Sequence, residues 1–313
     1  MKVVFMGTPE FAVGTLKKCI EKHDVIAVFT QPDKPKGRGN KMTPPPVKVV
    51  AEQHGIPVFQ PERLRKAPWP EQLKDLAPDV IVVVAYGQLL TQEVLDIPKF
   101  GCINIHASLL PKYRGAAPIN WAIANGEPET GVTTQMMNAG LDTGDMLLKW
   151  SVPIGEDMNA GELHDILAVA GADLLIETLD GLENGTLVPE VQNDAESCYA
   201  IKLSKEIARI DWNMSAVAIK NRINGFNPWP VAHTSLHEQP FKIFSAKVFS
   251  DEDQLLNADA LSGSVVKIDK NGIYVKTGDG LLLIEEVQWG SGKRMSAGAF
   301  LLGNPLAVGT YFN

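Results

Sequence analysis

Residues 2–30 read KVVFMGTPEFAVGTLKKCIEKHDVIAVFT, and this stretch decides the fold class. Lys2–Met6 and Val25–Thr30 are short apolar runs of the kind that form buried strands. Between them, Pro9–Lys22 carries Phe11, Thr15, Leu16, Cys19 and Ile20 at helical spacing. The same alternation continues with strand-like Val58–Phe59 and Val80–Ala85, and with a helix over Val47–His54 behind a proline-rich entry. Strands alternating with helices at this spacing predict an α/β domain with a parallel sheet and right-handed crossovers. The first strand-to-helix turn is Phe5-Met6-Gly7-Thr8-Pro9-Glu10-Phe11. A dinucleotide-binding turn needs G-x-G-x-x-G, and here Pro9 and Phe11 take the later places. Hydride transfer is therefore disfavoured. Gly7 serves a tight turn, and Pro9 starts the helix.

Further along, residues 101–119 read GCINIHASLLPKYRGAAPI. The segment opens as a strand, and side chains two apart on a strand share a face. Asn104 and His106 therefore point the same way, next to the strand's carboxyl end, where open α/β sheets form ligand crevices. An amide and an imidazole there need polar partners. Asp142 sits in the glycine-flanked turn GLDTGD, residues 140–145, which can return a carboxylate to the same crevice. A Ser108–His106–Asp142 hydrolase lacks the G-x-S-x-G elbow. A metal site would have one histidine and no clustered cysteines. Acyl transfer to an amine fits better. The Asn104 amide and an imidazolium at His106 can both donate to the oxygen that gains charge, and Asp142 can orient the ring and relay a proton.

The chain has 313 residues and a net charge of −8. Its length suggests two domains, and its surface as a whole does not attract polyanions. Cys19, Cys102 and Cys198 are widely separated, which predicts reduced thiols rather than a disulfide framework. No secretion signal and no membrane span are read, so a cytoplasmic protein is expected, and it is taken to be a monomer.

Ala160–Leu182 reads as a long amphipathic helix, whereas Val191–Lys205 has no strong period. After Ile207 the pattern becomes short strands around tight turns: Phe241–Val248, Ser264–Ile268, Gly272–Lys276 and Leu281–Val287. A small antiparallel barrel is expected there. The boundaries read as a catalytic domain over 1–190, a linker over 191–205 and an all-β domain over 206–313.

The acidic chain gathers Lys34, Lys36, Arg38, Lys41 and Lys48 into one loop, Gln31–Lys48, against the single acid Asp33. Gly37 and Gly39 allow it to move, and Pro44-Pro45-Pro46 stiffens its exit. A basic loop beside the crevice suits phosphate contacts to a nucleic acid. Lys220, Arg222, Lys242, Lys247, Lys293 and Arg294 form a second, weaker candidate patch. Trp212, Trp229 and Phe226 are read as packing residues rather than base-stacking ones.

Asn104-Ile105-His106, Ser108-Leu109-Leu110-Pro111, Tyr113-Arg114-Gly115 and Gly140-Leu141-Asp142-Thr143-Gly144-Asp145 together resemble the 10-formyltetrahydrofolate-dependent formyltransferases. Supporting segments are Gln31-Pro32-Asp33, Gly37-Arg38-Gly39, Val84-Ala85-Tyr86-Gly87, Arg209-Ile210-Asp211-Trp212 and Phe226-Asn227-Pro228-Trp229-Pro230. The resemblance implies a Rossmann-like formyltransferase domain followed by an oligonucleotide-binding-type (OB-like) barrel. It implies that Asn104, His106 and Asp142 are catalytic. It also implies that Ser108, Leu109, Leu110 and Pro111 border the tetrahydrofolate site, with Tyr86, Gly87, Gln88 and Leu89 lining the pterin pocket. The co-substrate would be 10-formyltetrahydrofolate, with no metal. The early loop and the FNPWP segment narrow the resemblance to members that act on initiator methionyl-tRNA, contacted by Lys34, Lys36, Arg38 and Lys41. The alternatives are a small-molecule amine acceptor, a formyl-folate hydrolase, and a nucleic-acid-binding protein with a vestigial α/β domain. An intact Asn104, His106 and Asp142 set argues against the last.

Overall fold

Strand Lys2–Gly7 has every residue after Lys2 buried, because it lies inside a seven-stranded sheet with a strand paired on either side. Across that sheet the order is Met146–Pro153, Glu129–Met136, Cys102–His106, Val80–Val84, Lys2–Gly7, Asp24–Phe29, Val58–Phe59. The computed structural model describes residues 1–37, 39–249 and 260–313. The five strands from Cys102–His106 to Val58–Phe59 run parallel. Glu129–Met136 adds antiparallel to Cys102–His106, so the sheet is mixed rather than purely parallel. Neither Glu129–Met136 nor Met146–Pro153 was read as a strand. Their threonines and lone charged residues blur the apolar runs that marked the central strands.

The chain falls into two compact units. The first comprises Met1–Pro118, Thr130–Val152 and His164–Ala200, and the second Ile119–Glu129, Pro153–Leu163 and Ile201–Asn313. The stretch 191–205, expected as a linker, divides between them after Ala200. Its first part has structure of its own: Gln192 is buried, and Tyr199–Ala200 pairs in parallel with Arg114–Gly115.

In the first unit both sheet faces are covered. Val4, Met6, Ala27, Phe29, Ile81 and Val83 pack with Leu64, Leu73 and Tyr86. On the other side, helix Ala160–Asn184 approaches so closely that a Cβ on Gly171 would lie 3.0 Å from Ile105 and 3.4 Å from Val132. The period of two then decides the site. Ile105 and Val132 face this helix, so Asn104, His106, Thr133 and Gln135 share the opposite face.

The second unit is built on an antiparallel sheet ordered His233–Leu236, Gln239–Phe249, Leu281–Trp289, Gly272–Lys276, Val265–Asp269, with Met295–Ser296 beside Leu281–Trp289. Two helices, Ala216–Gly225 and Ala297–Gly303, add to the expected strands. Ser215 and Ser296 cap them through their hydroxyls. The final residues had no readable pattern, and they bridge both sheet edges. Asn313 exchanges two backbone bonds with Ser235, while Thr310 and Gly309 bond Val265. Phe312 is fully buried against Trp212 and Phe241, at ring centroid distances of 5.8 and 5.1 Å. Trp212 and Phe226 are core residues, as expected, whereas Trp229 is 53% exposed.

Candidate active site

Asn104 and His106 are 8% and 5% exposed, on the last turn of pleat before the chain leaves the sheet. Antiparallel pairing sets Gln135 directly opposite Asn104 and Thr133 directly opposite His106. Four polar side chains thus form one row on a buried face. Thr133 anchors the segment that follows. Its hydroxyl donates to the Ser108 carbonyl at 2.7 Å and accepts from the Leu110 N–H at 3.1 Å. Among the described residues the Asn104 amide has no hydrogen-bond partner, so both its donors remain available to a substrate.

His106 is oriented by the backbone. Its Nε2 lies 2.8 Å from the Tyr113 carbonyl oxygen, which can only accept, so Nε2 carries a proton. Nδ1 is left for chemistry and faces Asp142 Oδ1 at 3.7 Å. The expectation that Asp142 orients the ring needs amendment in this respect. The Tyr113 carbonyl holds it, and Asp142 stands beside the free nitrogen.

The Asp142 carboxylate is held from two sides. Oδ2 accepts from the Gly115 N–H at 2.8 Å, and Oδ1 accepts from Gln135 Nε2 at 3.2 Å. Asp142 itself has φ +53°. Gly144 permits the turn, since a Cβ there would stand 1.7 Å from the Met136 carbonyl oxygen. Gln192 and Gln135 were not expected in this neighbourhood, and Tyr113 and Arg114, quoted only as part of a motif, had no role assigned. None belongs to a periodic pattern, and a polar residue at an otherwise apolar position was the one available signal.

Of the residues expected at a folate site, Ser108 and Leu110 are buried and Leu109 is half-buried. Ser108 spends its hydroxyl on the Lys112 carbonyl at 2.6 Å. Tyr86 does not turn its ring outward. The ring is 1% exposed in the core cluster, and burial pushes its phenol above the ordinary range. Its backbone carbonyl instead accepts from Thr8 Oγ1 at 3.0 Å and Gln31 Nε2 at 3.3 Å. Gln88 braces the chain at Pro61 O and Leu64 N, both at 2.8 Å. Gly87 has φ +84°, and Leu89 is 75% exposed.

The basic loop is an antiparallel hairpin, Lys34–Lys36 with Lys41–Thr43. Arg38 lies outside the described residues. Lys36 pairs directly with Lys41 and Lys34 with Thr43, so three lysines occupy one face, with Pro35 and the 56% exposed Met42 on the other. Lys48 is drawn to the hairpin's root. It bonds Asp33 at 3.0 and 3.1 Å and Gln60 at 2.9 Å. The Gln60 amide and then Lys48 hold the Asp33 carboxyl below the usual carboxylate range.

The second expected patch is largely neutralised. Lys220 is 4% exposed between Glu156 and Asp157, at 3.0 and 2.8 Å. Burial works against its charge, yet the two carboxylates hold it protonated. Lys247 pairs with Glu285 at 2.7 Å, and Arg294 pairs with Glu286.

A free amide and an imidazole on one buried face, with a carboxylate beside the latter, are groups that can donate to an oxygen gaining charge in acyl or formyl transfer. The chain belongs to the formyl transferase family: that family's model matches residues 1–179, and the model of the formyl transferase C-terminal domain matches residues 202–305. Among its relatives, the methionyl-tRNA formyltransferase of Clostridium perfringens (strain SM101 / Type A) is 53% identical over 310 residues, covering 99% of both chains. That of Citrifermentans bemidjiense is 54% identical over 99% of this chain and 95% of its own. Among solved structures, the sugar 3N-formyl transferase WlaRD, in the presence of dTDP and 5-N-formyl-THF, superposes with a TM-score of 0.67 at 19% identity. It covers 94% of this chain and 99% of its own, and shares the fold.

Proposed function

We propose that this protein transfers the formyl group of 10-formyltetrahydrofolate to the α-amino group of methionine carried on initiator methionyl-tRNA. The observation that carries the reading is end-to-end likeness, at about half identity, to relatives named for that reaction. In this reading Asn104, His106 and Asp142 are the catalytic set. The amine nitrogen bonds the formyl carbon, and its oxygen gains charge. The unengaged Asn104 amide and a protonated His106 Nδ1 donate to that oxygen. The bond from carbon to the folate nitrogen then breaks, and the proton lost by the amine reaches that nitrogen through Asp142 or water. The formyl group comes from the folate, bordered by Ser108–Pro111 and by the backbone of residues 86–89. The backbone at Tyr86, rather than its ring, is what this chain offers there.

Lys34, Lys36 and Lys41, with Arg38, are the tRNA contacts of this proposal. What supports it is the pairing of Lys36 with Lys41. Like charges directly opposite each other destabilise a strand pair unless an anion stands between them. Residues 206–313 are proposed as a further tRNA-binding domain, working with the rest of the chain as a cytoplasmic monomer. Among the described residues no helix is long and apolar enough to cross a membrane.

The test is formyl-folate turnover with charged initiator tRNA, with a small-molecule amine such as an amino sugar, and with neither. Formation of N-formylmethionyl-tRNA, with folate consumed only when the tRNA is present, is the expected result. Equal consumption without tRNA would make the protein a formyl-folate hydrolase. Preference for the small amine would redirect the acceptor, and sedimentation checks the monomer.

A further inference from the structure

We infer that two buried glutamines, Gln192 and Gln135, are positioning residues that aim the Asp142 carboxylate at His106. This rests on the reading of Asn104, His106 and Asp142 as the reacting set, and extends it to residues outside their motifs.

Asp142 adopts the left-handed region, φ +53°, which a residue with a Cβ occupies at a cost unless its surroundings hold it there. Gln192 supplies that hold. Its Nε2 has two hydrogens, and they meet two carbonyls of the same turn, Asp142 O at 2.8 Å and Gly144 O at 2.7 Å. Its Oε1 accepts from Arg114 Nε at 3.0 Å. Arg114 is 2% exposed and is itself fixed by Asp194 at 2.7 Å. Burial works against the guanidinium, and hydrogen bonds to Asp194 and Tyr199 keep it charged. Arg114 also precedes Gly115, whose N–H bonds Asp142 Oδ2. One short segment therefore grips the carboxylate directly, and the backbone of its turn through Gln192.

Gln135 completes the hold from the sheet. It is 1% exposed, and its Nε2 reaches Asp142 Oδ1, the oxygen that faces His106 Nδ1. Its own Oε1 is buried without a partner among the described residues. An apolar side chain would avoid that cost, so the amide's use is the bond it makes to the carboxylate. A ring and a carboxylate in a proton relay must be held to a fraction of an ångström, and these amides replace the water that would otherwise solvate Asp142.

The test is a mutant cycle in steady state. Gln192→Glu keeps the size and the acceptor for Arg114 but loses both donated bonds. It should lower kcat about tenfold to a hundredfold, with KM for formyl-folate and for charged tRNA nearly unchanged. Gln135→Met should lower kcat several-fold in the same manner. If both act through Asp142, neither should add its full loss on an Asp142→Asn background. Losses that multiply on that background, or a change confined to KM or to the melting temperature, would overturn the inference. Should Gln192→Glu fail to fold, the Gln135→Met cycle decides alone. Near-normal kcat in Asp142→Asn itself would overturn the catalytic reading, a result separable from failure of the glutamines.

Discussion

The row at Asn104 and His106 and the hairpin at Lys34–Thr43 are opposites in construction. The row is buried and sits on a central sheet, and each side chain but one is bonded or packed into place. The hairpin is exposed, forms a two-stranded sheet of its own among the described residues, and sets like charges against each other. The contrast follows from the two tasks. Stabilising a developing oxyanion needs donors that do not reorganise, and burial strengthens them. Meeting a polyanion needs cations that stay hydrated and apart until phosphates arrive.

The sharpest way to break this contrast is at Asn104, whose amide has no hydrogen-bond partner among the described residues. Asn104→Ala should cost about a hundredfold or more in kcat, with folate affinity and thermal stability nearly unchanged. Single-turnover assays with charged tRNA check it. A near-normal rate would mean that the row is a packing feature like any other strand. His106→Ala should behave likewise.

At the hairpin the signature should be the reverse. Replacing Lys34, Lys36 and Lys41 together by Ala, or Arg38 alone, should lower kcat/KM for tRNA about tenfold or more, while kcat at saturation and folate affinity hold. Each lost phosphate contact should flatten the log–log salt slope by roughly 0.7 to 0.9. Measuring kcat/KM across salt concentrations reads this directly, and an unchanged slope would reduce the hairpin to a solvated ornament of the sheet.

A smaller effect joins the two regions. Asp33, Lys48 and Gln60 tie the hairpin's root to Gln31, which in turn reaches the Tyr86 carbonyl. Lys48→Met should lower kcat/KM for tRNA by only a few-fold, because a partly exposed pair of this kind is worth little. Its pH dependence has a definite sign. The Asp33 carboxyl titrates below the ordinary range, so the pair's contribution is present above that range and is lost as pH falls through Asp33's depressed value. Comparing wild type with Lys48→Met from neutral to acid pH should show the two curves converging at the acid end.

Much of this was legible from residue order. Lys2–Gly7, Asp24–Phe29, Val58–Phe59 and Val80–Val84 lie within a residue or two of their expected bounds, because buried parallel strands are continuous apolar runs. Gly272–Lys276 was read residue for residue, since turns with glycine at fixed offsets bound it. The shared face of Asn104 and His106 followed from the period of two alone. Glu129–Met136 and Met146–Pro153 were missed because edge-ward strands carry mixed polarity. The hairpin's cations were plain, but not that Lys48 would leave them for Asp33.

The sequence by itself thus determined the α/β class, the face that bears the chemistry and the concentration of positive charge. Each is written in spacing between neighbours, where backbone period and composition suffice. Tertiary structure alone decided that the Tyr113 carbonyl orients His106 and that Gln192 reaches the Asp142 turn, 50 residues away along the chain. It alone turned the Tyr86 ring into the core, and set Phe312 against Trp212 and Phe241 to bring the chain's end between two sheet edges. These are contacts between residues remote in sequence. No period encodes them, because which donor meets which acceptor is settled only when packing has brought both to the same place.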